Sequence, residues 1–89
     1  MIWKIELSSD AYKFLKRNKI PKEKIFELIR KAIRKFQGKK INIDIKKLKG
    51  KWLGFYRIRK GKLRVICEFN FDKFSVLIEE IDWRGGVYK

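Results

Sequence analysis

Apolar and polar residues alternate from Ile2 to Leu7, with Trp3, Ile5 and Leu7 on one side and Lys4 and Glu6 on the other. A period of two predicts a half-buried first strand. Ser8-Ser9-Asp10 then offers N-cap oxygens for a short helix running to about Asn18. Ala11, Phe14 and Leu15 share one face of it, while Lys13, Lys16 and Arg17 lie outside. The segment from Asn18 to Pro21 breaks that helix, and Pro21 suits the first turn of the next. Between about Pro21 and Gln37 the period lengthens to that of a helix. Ile25, Leu28, Ile29, Ala32, Ile33 and Phe36 form a wide apolar stripe, with Glu23, Glu27, Arg30, Lys31 and Arg34 on the wet side. Gly38 is the expected stop. A stripe of this width reads as the cover of a sheet rather than as a site for a partner helix.

From Gly38 to Lys51 the pattern weakens. Ile41, Ile43 and Ile45 alternate with polar residues, but the flanks are basic and include Gly50, so the segment reads as a connecting loop. Leu53 to Arg64 is the clearest β-pattern in the chain: a hairpin turning at Lys60-Gly61, glycine supplying the positive φ. Pairing Arg59 with Lys62 sets Ile58 against Leu63, Arg57 against Arg64 and Tyr56 against Val65. One face then carries Tyr56, Ile58, Leu63, Val65 and Cys67, a core. The other carries Arg57, Arg59, Lys62 and Arg64. Like charges set opposite one another weaken a hairpin, so such a cluster suits an anionic ligand. Asn70-Phe71-Asp72-Lys73 predicts a turn, and a further antiparallel strand runs from Phe74 to about Ile81. Phe69–Phe74, Cys67–Val76 and Val65–Ile78 would pair on the core face, with Arg64 near Glu79. The expected fold is α+β: an N-terminal strand, two helices, then a three-stranded antiparallel meander with the helices on one sheet face. Residues 1–89 make one domain, with no repeat or linker.

Charge changes the picture from fold to partner. A formal charge of +15 and a pI near 10.2 fit a polyanionic ligand, or equally a lysine-rich thermophile surface. Distribution favours the ligand: Lys40 to Arg64 holds ten basic residues against one acid, Asp44, whereas Val65 to Asp82 holds five acids against one lysine. The single Cys67 excludes an internal disulfide and reads as a buried structural thiol. Without histidine there is no zinc set and no Ser-His or Cys-His nucleophile pair. No metal or cofactor is expected. No apolar run is long enough to span a bilayer and no signal-peptide pattern is present, so a soluble, cytoplasmic protein without a membrane partner is expected.

Several short motifs occur in a fixed order: Leu48-Lys49-Gly50; Tyr56-Arg57-Ile58-Arg59 followed by Gly61; Arg64-Val65-Ile66; and the ending Trp83-Arg84-Gly85-Gly86-Val87-Tyr88. In this order and spacing the chain resembles the RelE/ParE superfamily of toxins from toxin–antitoxin pairs. The terminal Arg-x-x-x-Tyr is the most telling part, since no core requires it. The resemblance implies a small sheet packed on two N-terminal helices. It also implies a ribosome-dependent, metal-independent endoribonuclease that cleaves mRNA in the A site, the 2′-hydroxyl attacking the adjacent phosphate. Carried over to this sequence, the catalytic positions are Arg57 and Arg59 on the second strand, Arg64 on the third, and Arg84 and Tyr88 near the end. Lys46, Lys47, Lys49, Lys51 and Lys62 would bind RNA or the ribosome, although for any single one of the first four a solvated lysine is the safer reading.

Guanidinium forks suit this chemistry, because in-line transfer at phosphorus builds negative charge on the phosphoryl oxygens. Tyr88 would stack on a base or orient the 2′-hydroxyl, and Arg84 would stabilise the leaving oxygen. Both second-strand positions are arginine here, where many relatives have lysine, and arginine holds its proton too tightly to act as a base. Proton removal falls to Tyr88, a nearby lysine, Glu79 or the ribosome, which predicts a slow nuclease away from the ribosome. The resemblance also implies a RelB-like antitoxin with an acidic or amphipathic segment. Three rival readings accompany it: a ParE-like inhibitor of DNA gyrase, a catalytically weak RNA- or antitoxin-binding module, and plain surface pairing of Arg57 and Arg64 with Glu79 or Glu68.

Overall fold

In the computed structural model residues 2–83 are described. The chain runs β1 (Lys4–Leu7), α1 (Ser9–Arg17), α2 (Lys22–Phe36), β2 (Asp44–Lys47), a 3-10 turn (Gly50–Trp52), β3 (Phe55–Lys60), β4 (Leu63–Asn70) and β5 (Ser75–Trp83). The five strands form one sheet in the order β1-β5-β4-β3-β2. All neighbours are antiparallel except β1, which runs parallel to β5 after the helical crossover. The α+β class and the helix-on-sheet layering agree with the sequence. No described helix is long and apolar enough to cross a membrane.

Both helices cover one sheet face. Ala11, Phe14 and Leu15 of α1 and Ile25, Leu28, Ile29, Ala32 and Ile33 of α2 are buried against Ile58, Val65, Cys67, Phe69, Val76, Ile78 and Ile81. Trp3, Ile5 and Leu7 pack at the rim of this core, as their alternation predicts. Aromatic rings fill one end, where Phe36 lies 5.1 Å from Phe69 between ring centroids. Burial pushes the Cys67 thiol up to about 12, as befits a structural cysteine.

Four expectations need correction. The segment after α2 is not all loop. Asp44–Lys47 is an edge strand paired with β3, so the meander has four strands rather than three. It is short and lies at the sheet edge, and lysines on a free edge, which deter further strand addition, look from sequence like a solvated loop. The hairpin turns one residue later than expected, with Lys60 paired to Leu63, Arg59 to Arg64 and Ile58 to Val65. Gly61 thereby takes the first central position with φ 57, where a type II′ turn calls for glycine. Lys62 moves out of the strand into the turn. Moving the turn by one residue shifts every partner by two, so the face assignments survive.

The β4–β5 register shifts in the same way, with Phe69 opposite Val76 and Cys67 opposite Ile78. The loop is longer than expected. Asn70 Oδ1 accepts from the backbone N–H of Asp72 and of Lys73, at 3.1 and 3.0 Å, and β5 begins only at Ser75. Finally, β5 carries a bulge. Ile66 faces Glu80 and Cys67 faces Ile78, which leaves Glu79 as the extra residue. Even-numbered residues face the core before the bulge (Val76, Ile78) and the odd-numbered Ile81 does so after it. Ser8 holds this irregularity in place. Its N–H donates to the Ile78 carbonyl at 2.9 Å and its Oγ donates to the Glu79 carbonyl at 2.6 Å, while the same Oγ accepts the Ala11 N–H and caps α1.

Candidate functional site

The sheet face away from the helices holds the arginine cluster expected from the sequence. Strand alternation sends Ile58 into the core, so Arg57 and Arg59 project together from the other side of β3. Arg64 stands beside them, opposite Arg59 on β4. Read across the sheet, one row runs Asp44 (β2), Arg59 (β3), Arg64 (β4), Asp82 (β5), and the next runs Lys46, Arg57, Ile66, Glu80. The three arginines expected from sequence thus share one face within two adjacent rows.

Two aspartates flank them. Arg57 Nη2 donates to Asp44 Oδ1 at 2.8 Å. Arg64 grips Asp82 with a fork, Nε to Oδ1 and Nη2 to Oδ2, both at 3.1 Å. The Arg57 side chain is only 13% exposed although its partner Asp44 is 55% exposed, whereas Arg64 and Asp82 are 28% and 18% exposed. The plain surface-pairing reading therefore has the wrong partners: the carboxylates are Asp44 and Asp82, not Glu79 or Glu68. Arg64 meets Asp82 because of the bulge. An uninterrupted β5 would turn residue 82 toward the helices along with Val76 and Ile78; one extra residue reverses the alternation and brings Asp82 outward.

Arg59 differs from its neighbours. Among the described residues it has no ion-pair partner, and none of them offers an acceptor to its buried Nε or to that of Arg57. A desolvated donor without a partner costs about 1–3 kcal/mol. Two such donors among three arginines could be satisfied by an acceptor brought from outside, such as a phosphate oxygen.

The lysines scatter. Lys46 pairs with Arg57 in register and shares its face, but Lys47 pairs with Tyr56 and lies on the helix side of the edge strand. Lys49 and Lys51 sit at the 3-10 turn, exposed. Lys62 lines a groove of about 490 Å³ with Lys24, Leu28, Lys31 and Trp83, between the hairpin tip and α2, rather than joining the arginine face. Arg84 and Tyr88 lie outside the described residues. Asp44 and Asp82 were not singled out from the sequence. One signal for Asp44 existed, since it is the sole acid between Lys40 and Arg64; for Asp82 there was none without the bulge.

No family model matches the sequence, and no curated protein matches it significantly. Solved structures do. A chain of the archaeal RelE–RelB complex from Pyrococcus horikoshii is 25% identical with a TM-score of 0.66, covering 97% of this chain and 99% of that one. A chain of the RelB–RelE antitoxin–toxin complex from Methanococcus jannaschii is 26% identical with a TM-score of 0.62, covering 92% and 93%. A chain of the toxin–antitoxin complex RelBE2 from Mycobacterium tuberculosis is 18% identical with a TM-score of 0.61, covering 94% and 100%.

Proposed function

This chain carries the RelE-type toxin fold, and from that premise we propose that it is the toxin of a type II toxin–antitoxin system, a ribosome-dependent, metal-independent endoribonuclease that cleaves mRNA in the A site and so stops translation. The observation that carries the proposal is the shared face of Arg57, Arg59 and Arg64 on a sheet whose other side is closed by helices. In the reaction the 2′-oxygen forms a bond to the adjacent phosphorus and the bond from phosphorus to the 5′-oxygen breaks. One proton leaves the 2′-hydroxyl and one reaches the 5′-oxygen. Charge accumulates on the phosphoryl oxygens as the transition state forms, and fixed guanidinium groups stabilise it with little reorganisation. Arg59, with no carboxylate partner among the described residues, is suited to take the phosphate, with Arg57 and Arg64 at its sides. Arg84 would neutralise the leaving oxygen and Tyr88 would orient the 2′-hydroxyl or stack on a base. Arginines stay protonated, so most of the rate comes from charge stabilisation, and the ribosome supplies order and proton transfer. Lys46, on the arginine face, belongs to the RNA contact.

A RelB-like antitoxin is the expected partner, and the cationic surface suits an acidic or amphipathic segment of it. A second reading, binding of RNA or antitoxin without cleavage, is supported by the two aspartates that offset two of the three arginines. Inducible expression with 5′-end mapping of mRNA separates the two. Breaks within translated codons, lost in Arg64→Ala and Arg84→Ala, are expected of the nuclease. Undiminished cleavage by both variants overturns the assigned site, and ribosome binding without breaks leaves the binding module.

A further inference from the structure

We propose that Asp44 and Asp82 are positioning residues that hold the outer arginines of the cluster in place and set how tightly it grips RNA. The inference rests on the RNA-directed reading of the arginine face. Each aspartate comes from a strand flanking the β3–β4 hairpin, and each bonds one guanidinium: Asp44 to Arg57 at 2.8 Å, Asp82 to Arg64 through a two-bond fork. Both belong to the same cross-sheet row as Arg59 and Arg64. The result is a symmetric order of charge, acid, cation, cation, acid, in which the cluster of three arginines and two aspartates nets one positive charge instead of three.

Carboxylates beside an RNA phosphate repel it, so binding alone gives no reason for them. Fixing a long side chain does. A free arginine has many rotamers, and a guanidinium that must reorient as charge develops stabilises a transition state less than one already in place. The acids therefore weaken the ground-state complex while keeping the interactions that matter at the transition state, which is the trade that favours turnover over affinity. The bulge in β5 supports this assignment, since it brings Asp82 to the arginine side at the cost of a regular ladder.

The test uses the full chain with Asp44→Asn, Asp82→Asn, and Asp72→Asn as a control in the β4–β5 loop, at the opposite end of β4 from Arg64. Binding to a non-cleavable 2′-O-methyl RNA oligonucleotide is read by fluorescence anisotropy over a range of salt. Cleavage at saturating protein is read in a translating extract, and Tm is measured for each variant. The two site variants should bind several-fold tighter than wild type, with a salt slope steeper by about 0.7, the value for one additional phosphate contact on a single strand. Their cleavage should be slower by an order of magnitude or more, while Asp72→Asn matches wild type in both. Binding that is unchanged or weaker in the site variants overturns the proposal, as does tighter binding with cleavage at the wild-type rate. Asp44, half exposed on an edge strand, keeps the test decisive should Asp82→Asn fail to fold. If wild type does not cleave in the extract, the nuclease reading fails by itself. The anisotropy arm then still decides, tighter and more salt-sensitive binding supporting the aspartate assignment and unchanged binding overturning it.

Discussion

Arg59→Gln removes one positive charge from the middle of the open sheet face while keeping most of the side chain's apolar stem. Two consequences follow from the geometry, and they have opposite signs. Arg59 has no ion-pair partner among the described residues, so a phosphate bound there loses its full contact. Hydrogen bonds to charged groups contribute about 1.5–3 kcal/mol, which corresponds to RNA binding about 10- to 150-fold weaker. The salt slope should fall by about 0.7, the share of one phosphate on a single strand. Stability should move the other way. Arg59 faces Arg64 directly across the ladder, and like charges so placed cost about 0.2–1 kcal/mol. Among the described residues its buried Nε also lacks an acceptor. Relief of about 0.5–1 kcal/mol raises Tm by roughly 2–8 °C in a domain of this size. Anisotropy with 2′-O-methyl RNA and a calorimetric melt measure both. A lowered Tm, or affinity and salt slope equal to wild type, would refute the idea that this residue is held at a cost to the fold for the sake of an anion.

Three further outcomes are expected. Ser8→Ala loses the α1 cap and the bond to the Glu79 carbonyl together, and should cost about 1–2 kcal/mol in urea denaturation, at the upper end for a cap. Gly61→Ala meets no neighbouring atom, so its cost of about 1–2 kcal/mol comes from the left-handed backbone alone; a drop of that size with no change in core packing by NMR checks it. Cys67 keeps its proton up to about 12 when folded, whereas the unfolded chain releases it near 9.0. The folded state thus binds more protons between those values, and stability from this group is whole below pH 9 and declines as pH rises toward 12. Cys67→Ala should flatten that alkaline decline relative to wild type in denaturation curves recorded on either side of pH 9.

Much of this molecule is local physics, readable in one dimension. The helical stripe from Ile25 to Phe36, the alternation of β1 and the split of the hairpin into an apolar and a cationic face all follow from side-chain periodicity, and each holds in the structure. Periodicity is blind to a register shift of this kind, because moving a hairpin turn by one residue moves partners by two and preserves the face. It does not say who stands opposite whom. Arg57, Arg59 and Arg64 were legible as a cluster, but their aspartate partners were not. Asp44 lies on an edge strand that forms only by pairing with β3, and Asp82 faces outward only because one extra residue at Glu79 reverses the alternation of β5. Both are set by pairing between segments, Ser8 with the distant β5 and β2 with the next strand β3, and such contacts exist only once the sheet is assembled. Side-chain periodicity alone marks which surface is cationic; assembly of the sheet sets how much of that charge is already answered, since a pairwise interaction depends on a distance that no single strand contains.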